Sequence, residues 1–141
     1  MKILVINGPN LNMLGIREKE IYGQQTYHEL VRFIERTAED NEVEVDVFQS
    51  NHEGDIIDKI QNAYGKYDGL VVNGGGYTHT SIAIMDAIKA VEIPSVEVHL
   101  SDIMAREEFR RLSYLSKVCE KTICGKGFKG YAEAIEYLKN R

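Results

Sequence analysis

The sequence predicts a doubly wound α/β domain: a parallel sheet of five strands with helices on both faces. Three observations carry that prediction. Short apolar runs alternate with stretches of helical periodicity along the whole chain, the pattern of repeated βαβ units. Ile3-Leu4-Val5-Ile6 and Leu70-Val71-Val72 are apolar without interruption, as strands covered on both faces are. Turn-forming residues, Asn7-Gly8-Pro9-Asn10 and Asn73-Gly74-Gly75-Gly76, stand directly behind those runs, where open α/β sheets place their ligands.

Taken in order, Ile3-Leu4-Val5-Ile6 is the first strand and Asn7-Gly8-Pro9-Asn10 the turn that ends it. The stretch from 11 to 25 has weak periodicity, and a loop of that length in a compact domain is often a lid. Thr26 and Glu29 have capping-box spacing, and Leu30, Val31, Ile34 and Ala38 form the stripe of a first helix. Val43, Val45 and Val47 alternate as a second strand. After the loop Gln49-Ser50-Asn51-His52, a second helix is lined by Ile56, Ile57, Ile60 and Ala63. Leu70-Val71-Val72 is the third strand. The glycines behind Asn73 allow a tight bend and a close ligand, and the hydroxyl residues Thr78, Thr80 and Ser81 then open a helix with unsatisfied N–H donors at its start.

That helix carries Ile82, Ala83, Ala87, Ile88 and Val91, and Pro94 separates it from a fourth strand, Ser95-Val96-Glu97-Val98-His99. Ser101 and Asp102 are placed to cap a short helix through Phe109. Thr122-Ile123-Cys124 is the fifth strand. Gly125-Lys126-Gly127-Phe128-Lys129-Gly130 leads into a last helix with Ala132, Ile135 and Leu138. Right-handed crossovers through these units give a flavodoxin-like sheet of order 2-1-3-4-5. Strands one, three and four are then neighbours, and the polar residues at their carboxyl ends converge.

Length and composition bound the rest. One domain spans residues 1–141, with the lid at about 11–25. A hydrophobic content of 43% with 28% charged residues is ordinary for a soluble globular chain. The net charge of −5, without a Lys/Arg block, excludes a nucleic-acid surface. No apolar run reaches membrane-spanning length and the N-terminal run is too short for a signal peptide, so a cytoplasmic protein without membrane partners is expected. Cys119 and Cys124 read as free or buried thiols rather than a disulfide or zinc pair.

Several side chains have the chemistry of a site. Glu97 and His99 are two apart in a strand and share a face, so the carboxylate can fix the imidazole tautomer and raise its basicity; alone they also fit a structural ion pair. Tyr22 becomes a base only if something stabilises its phenolate, as the guanidinium of Arg17 in the same loop would. Arg106, Arg110 and Arg111 follow the fourth strand and suit a carboxylate or polyhydroxylated ligand, or a solvated face balanced by Glu107 and Glu108. Asp86 falls off the apolar stripe of its helix. His79 with His99 lacks a third ligand for a metal site.

Six motifs in register carry a resemblance. Asn7-Gly8-Pro9-Asn10-Leu11-Asn12, Glu20-Ile21-Tyr22-Gly23, Gln49-Ser50-Asn51-His52-Glu53-Gly54, Tyr77-Thr78-His79-Thr80-Ser81, Glu97-Val98-His99-Leu100-Ser101 and Ala105-Arg106-Glu107-Glu108-Phe109-Arg110 follow the pattern of the type II 3-dehydroquinate dehydratases, which the chain resembles nearly end to end. The resemblance implies a hydro-lyase of the shikimate pathway that removes water from 3-dehydroquinate in an anti elimination through an enolate. It implies Tyr22 as base with Arg17 stabilising its charge, Asn10 positioning base and water, and His99, oriented by Glu97, as general acid. Asn73 and the backbone amides of Leu100 and Ser101 are implied to take the substrate carboxylate. His79 and Arg110 would bind hydroxyls, with Asp86 supplied by an adjacent subunit of a homododecamer built of trimers. No metal and no organic cofactor are implied.

The chain departs from the family pattern at Gly74 and Gly76, where Pro and Ala are common, and these glycines are expected to loosen the turn. Lys19, Lys117, Met104 and Leu112 are further departures. A phosphoacceptor module would need an Asp where this chain has Asn73, and a flavin carrier a hydroxyl-rich loop where it has Gly8-Pro9-Asn10-Leu11. A Schiff-base barrel needs roughly 250 residues. A non-catalytic binder of small hydroxy-carboxylates is the alternative left open.

Overall fold

In a computed structural model, which describes residues 1–16 and 25–141, five parallel strands form one sheet of order β2-β1-β3-β4-β5. They are β1 (Lys2–Asn7), β2 (Glu44–Gln49), β3 (Gly69–Asn73), β4 (Ser95–His99) and β5 (Lys121–Cys124). Four α-helices stand among the described residues: α1 (Tyr27–Asp40), α2 (Glu53–Asn62), α3 (Ile82–Val91) and α4 (Lys129–Asn140). None of them is long and apolar enough to cross a membrane.

Strand alternation sorts the core into two layers. Ile3 and Val5 of β1, with Val71, Val96 and Val98, pack under Leu30 and Ile34 of α1 and under Tyr131, Ala134 and Ile135 of α4. Leu4 and Ile6, with Leu70 and Val72, pack on the other side under Ile56 and Ile60 of α2 and Ile84 and Ile88 of α3. Both faces of β1 and β3 are therefore covered, which is why those strands are continuously apolar. The α1 cap is where its spacing places it: Thr26 Oγ1 accepts from the Glu29 N–H at 3.2 Å. Its hydroxyl also donates to the Glu29 carboxylate, so the two side chains close on each other.

Three expectations are corrected. The chain does not pass straight from the glycines into α3; a short 3-10 helix, Gly75–His79, intervenes, and Ser81 caps α3 by accepting from the Ile84 N–H at 2.9 Å. The short helix expected from 101 to 109 is instead two 3-10 turns, Ile103–Ala105 and Glu108–Arg110, the first capped by Asp102. Ile103 is buried there but Met104 and Phe109 are exposed, so no continuous apolar stripe exists to dock an α-helix. In α4 the buried stripe is Tyr131, Ala134, Ile135 and Leu138, and Ala132 is only half-buried. At the root of the expected lid, Leu11–Met13 is a 3-10 turn, with Leu11 and Leu14 buried in the core. Arg17 and Tyr22 lie outside the described residues.

Candidate active site

The switch point of the sheet lies between β1 and β3, and the carboxyl ends of β1, β3 and β4 open on one cleft of about 150 Å³. Asn10 lines it from the β1 turn, Asn73 and His79 from β3 and its 3-10 helix, and His99, Leu100 and Ser101 from β4. Arg110 closes a side, together with Arg106. Asp86 does not line the cleft; it is exposed on α3.

Val96 and Val98 pack toward α4, which turns Glu97 and His99 to the opposite face of β4. Glu97 is fully buried, and its carboxylate is answered by donors from three places in the chain. His99 Nε2 lies 2.5 Å and Ser113 Oγ 2.6 Å from Oε2, and Thr122 Oγ1 donates to Oε1 at 2.9 Å. Thr122 reaches it because β5 pairs with β4 in the register that sets Thr122 against Glu97. Burial alone would push the Glu97 carboxyl up, but the hydrogen bonds from His99, Ser113 and Thr122 and the imidazole charge outweigh it and hold it below the usual carboxylate range. Glu97 is therefore held as an anion, and His99 donates to it from Nε2, which makes Nδ1 the other ring nitrogen.

His79 is set up differently. Its Nδ1 lies 2.7 Å from the Leu112 carbonyl, an acceptor, so Nδ1 carries the proton and Nε2 keeps a lone pair. Partial burial, and then the charges of His99 and Arg110, lower its pKa below the ordinary imidazole value despite the bond to Leu112. The two rings stack with centroids 6.5 Å apart. The lowered pKa holds His79 toward its neutral form. Arg110 lines the cleft with its Nε donating to Glu107 at 2.6 Å.

Two hydrogen bonds cross the glycine turn. The Gly8 N–H donates to the Asn73 carbonyl at 2.7 Å, and the Gly75 N–H donates to Asn73 Oδ1 at 3.2 Å. Gly75 has a φ of +57° and an added Cβ would lie 2.8 Å from the Pro9 carbonyl oxygen, so only glycine fits there. Asn10 also takes a left-handed φ of 71°, tolerable for asparagine, and its N–H donates to Asn51 Oδ1 at 3.0 Å. Leu100 and Ser101 are held from behind, their carbonyls accepting from Gly127 and Gly125, each at 3.1 Å.

The sequence reading brought Asn10, Asn73, His79, His99, Leu100, Ser101 and Arg110 to one place, and the structure has them there. It missed Ser113, Thr122 and Tyr131. Thr122 was findable, being the residue that β4–β5 pairing sets beside a buried Glu. Ser113 had no local signal, sixteen residues from Glu97 in an irregular segment. Among the described residues no group of three His, Cys, Asp or Glu is placed to hold a metal ion.

The cleft thus sets a buried Glu97–His99 pair, a second imidazole and two arginines around one small polar space. Fold and site together define an open α/β sheet with a polar small-molecule cleft at its switch point. The chain belongs to the class II dehydroquinase family, whose model, "Dehydroquinase class II", matches residues 1–139. It is 59% identical to a 3-dehydroquinate dehydratase of Clostridium acetobutylicum, over 99% of this chain and 97% of the relative. To a 3-dehydroquinate dehydratase of Thermotoga neapolitana the identity is 55%, over 99% of this chain and 94% of that one. The type II dehydroquinase of Butyrivibrio crossotus superimposes with a TM-score of 0.96 at 55% identity, covering 98% of this chain and 97% of that one. That of Propionibacterium acnes superimposes with a TM-score of 0.95 at 38% identity, covering 99% and 97%.

Proposed function

We propose that the chain converts 3-dehydroquinate to 3-dehydroshikimate by anti elimination of water through an enolate. The observation that carries this reading is the Glu97–His99 pair, buried and charge-ordered, opening on the same cleft as Asn73, His79 and Arg110. Tyr22, as a phenolate stabilised by Arg17, removes the proton from C2. The electron pair moves onto the C3 carbonyl oxygen to give the enolate, whose charge is met by a water that Asn10 positions. The enolate then collapses, the C1–O bond breaks, and the departing hydroxyl takes a proton from His99 Nδ1 to leave as water. Glu97 keeps the imidazole in the orientation that presents Nδ1.

Binding follows from the rest of the cleft. Asn73 and the backbone amides of Leu100 and Ser101 take the C1 carboxylate. Neutral His79 accepts a substrate hydroxyl at Nε2, and the Nη groups of Arg110 donate to another. The active form is a homododecamer of trimers in which Asp86 reaches the neighbouring subunit's cleft. Its exposed position on α3 supports that, as do the exposed apolar side chains of Ile82, Phe109 and Leu112. The free thiols Cys119 and Cys124 support a cytoplasmic location.

The test follows enone absorbance after mixing the protein with 3-dehydroquinate, with and without borohydride treatment. The expected result is a rise that borohydride leaves unchanged and that Tyr22→Phe and His99→Ala each suppress. A rise that borohydride abolishes points to an imine and overturns the mechanism. Substrate binding by calorimetry without any rise makes the chain a binder instead.

A further inference from the structure

Tyr131 projects from α4 into the sheet and is completely buried. Its ring packs in the core as a phenylalanine would, but its hydroxyl ends between the last residues of β1 and β3, Asn7 and Asn73, which are paired in register. The hydroxyl donates to Asn7 Oδ1 at 2.7 Å and accepts from Asn73 Nδ2 at 2.9 Å. Asn7 in turn donates from Nδ2 to the Tyr27 hydroxyl at 3.4 Å. The polarity of this chain of bonds is set at its far end. The Gly75 N–H needs an acceptor and takes Asn73 Oδ1, so Asn73 must turn Nδ2 toward Tyr131. With its only hydrogen given to Asn7, the tyrosine oxygen has lone pairs to receive that Nδ2.

The amide of Asn73 is therefore clamped at both ends, and its second Nδ2 hydrogen is the one donor left for the cleft. We infer that Tyr131 is a positioning residue for the carboxylate subsite, fixing the Asn73 amide so that this N–H is aimed before substrate arrives. The inference rests on the reading of Asn73 as a carboxylate ligand given above. Burial keeps the phenol protonated, its pKa raised despite the bond from Asn73, so the relay does not reverse across the working pH range. A hydroxyl buried this deeply and bonded to two side chains, one of which lines the cleft, is more than core packing requires.

The experiment measures steady-state kinetics on 3-dehydroquinate for the full protein and for Tyr131→Phe, Asn73→Ala and the double variant. Tyr131→Phe is expected to raise KM roughly threefold to tenfold, the worth of one neutral hydrogen bond, with kcat within about twofold of the parent. Asn73→Ala raises KM as well, and in that background Tyr131→Phe changes KM no further, because it acts only through Asn73. Asn7→Ala, which removes the hydroxyl's acceptor and keeps the ring, raises KM in the same direction and provides the readout if Tyr131→Phe folds poorly. A Tyr131→Phe effect that adds fully to Asn73→Ala, or a loss confined to kcat and melting temperature, overturns the inference. If Asn73→Ala raises KM while neither Tyr131→Phe nor Asn7→Ala does, the inference alone fails. If Asn73→Ala leaves KM unchanged, the carboxylate reading fails with it.

Discussion

Ser113→Ala tests how the buried carboxylate is held. The substitution deletes a 2.6 Å bond to Glu97 Oε2 and leaves that oxygen to His99 alone. It also deprives the Ser116 N–H of its acceptor, which lies at 3.1 Å. A hydrogen bond to a buried charged group contributes about 1.5–3 kcal/mol. For a domain of this size each kcal/mol moves the melting temperature by roughly 3–4 °C, so a fall of about 5–12 °C is expected near neutral pH.

The pH dependence changes too. The folded-state pKa of Glu97 lies below its unfolded value, so the unfolded chain binds the proton more readily. Its contribution is complete above the unfolded pKa of about 4.5 and is lost as pH falls through the folded value. Removing one donor raises the folded pKa, so the acid limb of stability moves to higher pH. Scanning calorimetry on parent and variant, at matched protein concentration from pH 7 down to pH 3, reads both effects. A melting temperature within about 1 °C of the parent at pH 7, with superimposable acid limbs, would refute the claim that Ser113 helps hold Glu97 ionised.

The two glycines that depart from the family pattern should behave oppositely. Gly76 has open space around an added Cβ and no left-handed φ, so Gly76→Ala should stabilise the protein by about 0.4–1 kcal/mol in urea unfolding. At Gly74 the same carbon would lie 2.7 Å from Thr78 Oγ1 and 2.8 Å from Leu115 Cδ1, so Gly74→Ala should cost about 1–3 kcal/mol. The lowered pKa of His79 places its protonation below the ordinary imidazole value of 6.5. Above that it is a neutral acceptor, and as pH falls through its folded value Nε2 becomes a donor, so KM for a hydroxyl-bearing substrate should rise in acid. His79→Asn should flatten that acid rise.

The sequence was most legible where local pattern and tertiary need agree. Ile3-Leu4-Val5-Ile6 and Leu70-Val71-Val72 are apolar because α1, α2, α3 and α4 cover both faces, and their order followed from the crossover rule. Thr26 and Ser81 declared their helices by chemistry that acts within three residues. Residues 101–118 were less legible, because Ile103 and Leu115 are buried singly within turns, without a period. Several of the residues that line the cleft could be named from motif and strand order. Those that hold them from behind could not. Ser113 and Tyr131 meet Glu97 and Asn73 only through tertiary contact, and a serine in a loop or a tyrosine in an apolar stripe carries no sign of what its hydroxyl will touch.

The three-way hold on Glu97 has a consequence for how a newly made chain gains competence. Its donors arrive from β4, from the irregular segment after Arg110 and from the edge strand β5, so the C-terminal third must be docked before the anion is stable. A partly assembled chain that had closed only β1, β2 and β3 would lack every part of the pair. An ionised, fully bonded Glu97 is therefore a local marker that β4, the segment after Arg110 and the edge strand β5 have come together.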